Sequence, residues 1–91
     1  MVGRQQMKYA KLLTFINNMR KEDFYDLFVK GVGSTKLFSH FVTDPKFTSE
    51  VDKKLLRDKF INAGIPAELI ATDDDLYAAA KISMARAVEV R

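Results

Sequence analysis

Apolar residues in the first fifth of the chain recur every three or four positions, at Tyr9, Leu12, Leu13, Ile16 and Met19. That spacing puts them on one side of a helical repeat and predicts an amphipathic helix over roughly 5–19. A second helix is expected from about Lys21 to Lys30, with Phe24, Leu27 and Phe28 facing inward. Glu22 and Asp23 in its first turn and Lys30 in its last oppose the helix dipole favourably. Gly31 supplies the left-handed residue that commonly ends a helix. Ser34 then reads as the N-cap of a short third helix carrying Leu37, Phe38 and Phe41. Asp44-Pro45 stops it, because proline disfavours a helical residue before it and donates no N–H.

The pattern resumes with a fourth helix from Thr48 or Ser49 to Asn62 or Ala63, with Val51, Leu55, Leu56 and Phe60 as its apolar positions. Ser49 and Asp52 imitate a capping box, with Asp in place of the usual Glu. Ala63-Gly64 closes the helix, and Ile65-Pro66 opens a single turn, Ala67–Ile70, with proline where its missing N–H costs little. Thr72 caps a last helix running from Asp73 to about Val90. No run alternates as a strand would. The expectation is an all-α chain, a compact bundle of five or six short helices forming one domain over residues 1–91. Its core should be built from Leu12, Leu13, Ile16, Phe24, Leu27, Phe28, Leu37, Phe41, Leu55, Phe60, Ile65, Leu69, Leu76 and Ala80.

Composition agrees with a folded domain: 47% of the 91 residues are hydrophobic and 30% charged. The absence of cysteine excludes disulfides and thiolate zinc sites. No apolar run approaches the roughly 18 residues of a membrane span. The N-terminus is basic and then amphipathic, without the apolar stretch of a secretory signal, so a cytoplasmic location is expected. Net charge is only +3, but it is unevenly spread. Residues 1–21 hold Arg4, Lys8, Lys11, Arg20 and Lys21 and no acid, whereas Glu68, Asp73, Asp74, Asp75 and Glu89 outnumber the bases Lys81, Arg86 and Arg91 after Phe60. A basic start of this kind fits contact with a polyanion or an acidic protein surface, or attraction between the two ends of one fold.

Residues 30–38, KGVGSTKLF, have the ingredients of a phosphate loop but not the order. Gly31 and Gly33 are too close together, Lys36 follows Ser34-Thr35 rather than preceding them, and the upstream segment is helical. A corner between two helices accounts for them, with some anion affinity left near Lys36. A helix-turn-helix around Gly31–Phe41 is the other reading, and no single register keeps every inner position apolar. Catalysis has little to draw on. His40 is the sole histidine, so a nucleophile–base pair would need it with Ser34, Ser39 or a distant serine, and Asp73–Asp75 lacks the alternation and glycine of a calcium loop. The expectation is a non-enzymatic protein with no cofactor, metal or small-molecule substrate.

Two helices carry unusual surfaces. On the first, Phe15 stands among Arg4, Lys8 and Lys11, where it would stack a base, insert into a pocket on an acidic protein or pack under another element. On the last, Leu76, Ala79, Ala80, Ser83, Ala87 and Val90 form a stripe of mostly small residues, with Tyr77, Met84 and Val88 forming a second beside it. Either this helix is central and covered, or the second stripe meets another chain. Two copies laid antiparallel would bring Asp73–Asp75 of each near Arg86 and Arg91 of the other. Lys53, Lys54 and Arg57 lie within reach of Glu50 and Asp58, which predicts a solvated, ion-paired face. Together these features point to a small regulatory or adaptor protein acting by protein–protein contact, with another protein or with a second copy of itself, through Tyr77, Met84 and Val88. The alternative is DNA or RNA binding through Arg4, Lys8, Lys11, Phe15, Arg20, Lys21 and Lys36, which salt would weaken steeply.

Overall fold

Among the described residues five α-helices follow one another: α1 (Val2–Asn17), α2 (Lys21–Phe28), α3 (Ser34–Thr43), α4 (Glu50–Asn62) and α5 (Asp73–Glu89). Short 3₁₀ turns at Pro45–Phe47 and Ala67–Ile70 join the later ones, and no strand occurs among the described residues. The computed structural model describes the backbone of residues 2–89 and the side chains of residues 7–88. The side chains of Arg4 and Glu89, and all of Val90 and Arg91, lie outside the described residues.

The helix starts follow local chemistry. Ser49 accepts the Asp52 N–H at 3.1 Å, and Thr72 accepts the Asp75 N–H at 3.1 Å while Asp75 reaches back to the Thr72 N–H. Each cap satisfies a donor that the first turn leaves unpaired. The start of α3 differs from the sequence expectation. Gly33, at φ +73°, occupies the N-cap, and Ser34 is the first helical residue. Ser34 is buried, and its hydroxyl donates to the Phe28 carbonyl at 3.0 Å, tying α3 to the end of α2.

α5 is the central element and touches α1, α3, α4 and the Ala67–Ile70 turn. Its small-residue stripe is what allows this. Ala79, Ala80 and Ser83 are fully buried, and side chains this short let neighbouring backbones approach closely. The Ser83 hydroxyl is satisfied by the Ala79 carbonyl at 2.9 Å. α1 runs beside α5 in the same direction: Lys8 meets Asp75 near both helix starts, and Arg86 donates to the Ile16 carbonyl near both ends. The Arg86 guanidinium also lies 4.5 Å from the Phe24 ring centroid, so one side chain joins α5, the end of α1 and α2.

A row of phenylalanines crosses the other side of the core. Phe24 stacks on Phe28, Phe28 on Phe38, and Phe38 meets Phe60 edge-on, with centroids 5.6, 4.8 and 5.6 Å apart. Such contacts add to the burial term. Most of the expected core is buried. Leu13 and Leu55 are not, at 39% and 50% exposed, and Leu37 is half-buried. At both leucine pairs a helix can direct only one of two adjacent side chains inward, and Leu12 and Leu56 take those positions. Met19, Phe38, Leu56, Ile70, Ala79 and Ile82 complete the core.

Candidate functional site

Where α1 gives way to α2, a groove of about 840 Å³ opens against the segment between α4 and the second 3₁₀ turn. Ala10, Lys11, Thr14, Phe15 and Asn18 form one wall. Their three- and four-residue spacing places them on a single side of α1, next to the stripe Leu12–Ile16–Met19 that enters the core. Ala63, Pro66 and Leu69 form the other wall, and Met19, Arg20 and Asp23 close the end at the helix corner. Side chains near the floor are apolar, and the charged groups stand at the rim.

Phe15 is half-buried on the core and approaches the α4 exit, where Gly64 holds φ +101°. A β-carbon at Gly64 would lie 3.6 Å from the Phe15 ring. The ring therefore packs under another element, and its open edge contributes to the groove. Lys11 is exposed on the rim and makes no ion pair among the described residues. Arg20 donates to Asp23 at 3.2 Å, and this hydrogen bond with the carboxylate raises the guanidinium pKa above its ordinary value.

The basic set read from the sequence is thus divided. The groove gathers Lys11, Phe15 and Arg20, while Lys21 is exposed at the first position of α2. Lys8 turns to α5 and pairs with Asp75 at 3.1 Å. Lys36 stands on the outer side of α3 with Thr35, Ser39, His40 and Thr43, an exposed face without acids. Residues 29–33 separate α2 from α3, longer than the three- or four-residue turn of a helix-turn-helix.

The stripe read on α5 is also divided. Tyr77 packs edge-on against Phe41, with centroids 5.8 Å apart, and its hydroxyl donates to the Val42 carbonyl at 3.2 Å. Met84 packs on the core of its own chain, and Val88 is 68% exposed. The charges of α5 are engaged too. Asp73 accepts from Lys53 at 2.8 Å and from Arg57 at 3.4 Å, and Arg57 also donates to the Ile70 carbonyl. The hydrogen bond from Lys53 is the main reason the Asp73 carboxyl titrates below its usual range. Lys53 also pairs with Glu50 at 2.8 Å and Lys54 with Asp58 at 3.8 Å, giving the ion-paired face expected of this cluster.

No cluster of three or more acidic or histidine side chains able to hold a metal occurs among the described residues. His40 is exposed, with Nε2 3.5 Å from the Phe47 carbonyl, and the Ser34 hydroxyl is held inside by Phe28. No described helix is long and apolar enough to cross a membrane. Sequence reasoning missed Met19, Ala63, Pro66 and Leu69 as groove residues. The one signal was an aromatic residue among lysines on α1.

No protein-family model matches the chain, and no characterised protein or solved structure shows significant similarity to it. The fold and groove define a class only: a small all-α domain with an open, apolar cleft rimmed by Lys11 and the Arg20–Asp23 ion pair.

Proposed function

We propose that this chain is a non-enzymatic regulatory or adaptor protein that docks another protein in the groove between α1 and the Ala63–Leu69 segment. The observation that carries the reading is the groove itself, an apolar trough along a helix, suited to the nonpolar face of a partner helix. Its α1 wall belongs to a stretch of chain without acids, so a partner with carboxylates beside its apolar face fits best. Thr14→Arg tests this. Thr14 is exposed in the groove wall, and the change fills the trough without touching the core. The intact chain should recover a protein partner from extract of its source cell, with nuclease present, and the variant should not. Equal recovery by both would overturn the reading.

A second reading, nucleic-acid binding, draws on the acid-free outer face of α3 with Lys36, together with Lys11 and Lys21. Its signature is retention of nucleic acid that falls steeply with salt, roughly in proportion to the number of phosphates neutralised. Loss of all retained material on nuclease treatment would favour it over protein docking.

A further inference from the structure

α4 buries one side only. Leu56 and Phe60 are fully covered, whereas Val51, Leu55 and Ile61 are 69%, 50% and 41% exposed. Val51, Lys54, Asp58 and Ile61 follow one another at intervals of three, four and three residues, the alternation that forms a seam between two helices. This seam points away from the core. It is apolar at both ends and oppositely charged at its two middle positions.

We infer that the outer face of α4 pairs antiparallel with α4 of a second copy of the chain. A two-fold axis near residue 56 sets Val51 against Ile61 of the partner subunit and Lys54 against Asp58 of the partner subunit. The symmetry repeats both contacts, so four residues give two apolar layers flanking two ion pairs. A two-fold interface requires such self-complementarity, and here the apolar pair and the charged pair share a single midpoint. Leu55, 50% exposed, flanks the seam close to the axis.

The charges needed are available. Lys54 and Asp58 meet within their own helix only at 3.8 Å and in solvent, an arrangement worth little, so both can change partner. Lys53 and Arg57, which tie α4 to Asp73, and Glu50, which pairs with Lys53, lie to one side and keep their contacts. The seam is short, because α4 has 13 residues. The dimer is therefore weak and its population rises with concentration.

The experiment is sedimentation equilibrium of the full chain from low micromolar to near-millimolar concentration. The native chain should shift from monomer toward dimer. Lys54→Glu leaves only acids at the middle positions and Asp58→Lys leaves only bases, so each variant alone should stay monomeric. An equimolar mixture of the two should form a heterodimer, and the double variant Lys54→Glu/Asp58→Lys should recover self-association. Both positions are exposed, and circular dichroism should show unchanged helicity. A native chain that stays monomeric throughout, a Lys54→Glu variant that still dimerises, or a mixture that stays monomeric would each overturn the inference.

Discussion

α4 and α5 each carry apolar residues beyond one core-facing row, yet they occupy opposite situations. α5 has both rows engaged within the chain as far as Met84: Leu76, Ala79, Ala80 and Ser83 are buried among its neighbours, Tyr77 and Met84 pack on the same core, and only Val88 of the named positions is exposed. α4 buries Leu56 and Phe60 and leaves Val51, Leu55 and Ile61 in solvent. The difference lies in the size of the side chains. Alanine and serine admit several close neighbours around one helix, while the leucine and phenylalanine of α4 meet the core from one direction. Two apolar rows thus mark a central helix when one row is small, and an open surface when both rows are large.

Truncating one leucine on each helix should give the largest contrast. Leu76→Ala removes a fully buried side chain and should cost about 2–5 kcal/mol. Leu55→Ala should stay within about 0.5 kcal/mol in dilute solution, as exposed positions do. Urea unfolding midpoints at unchanged m-value measure both. Adding bulk sharpens the same point. Ala80→Leu forces a larger side chain into the closest helix contact and should destabilise by about 1–3 kcal/mol. Lys54→Leu, on the outer face of α4, should leave the midpoint of the dilute protein nearly unchanged.

Cap removal should affect both helices more equally. Thr72→Ala should cost about 1 kcal/mol by leaving the Asp75 N–H unpaired. Ser49→Ala should cost a similar or smaller amount, since Ser49 receives one N–H and Asp52 does not reciprocate.

The smallest effect is the pH dependence of the contact joining the two helices. Asp73 is held below its ordinary pKa in the folded chain, chiefly by Lys53. Its stabilising contribution is therefore complete above the unfolded carboxylate value of about 3.9 and is lost as pH falls through the lower folded value. Lys53 is raised by the same partner, so its contribution is present below its unfolded value of about 10.4 and lost as pH climbs above that. Asp73→Asn should flatten the acid side of the stability profile and shift the basic loss of Lys53 downward, both measurable by chemical unfolding at fixed temperature.

The helices were legible in the sequence because their signals are local. Thr72, Ser49, Pro45 and Gly64 punctuate the chain by backbone chemistry that needs no tertiary partner. The choice between adjacent leucines was not legible, since Leu55 and Leu56 satisfy the periodicity equally and only the packing of α4 on α3 and α5 decides between them. Ser34 illustrates a third case. Its residue type favours an N-cap, but Gly33 adopts the left-handed cap and frees the hydroxyl to bind Phe28. The groove was the least accessible feature. Its walls, at residues 10–23 and 63–69, face each other only after α4 and α5 have packed.

The chain contains no cysteine, so single cysteines at Ser83, Val51 and Leu55 report directly on which helix is covered. Thiol labelling rates in dilute solution are the decisive measurement. Cys at position 83 should react only as fast as the domain unfolds, and Cys at 51 or 55 at nearly the rate of a free thiol, slowing as the protein is concentrated. Rapid labelling at 83 in the folded chain, or protection at 51 and 55 in the dilute monomer, would contradict the account of a covered α5 and an open α4.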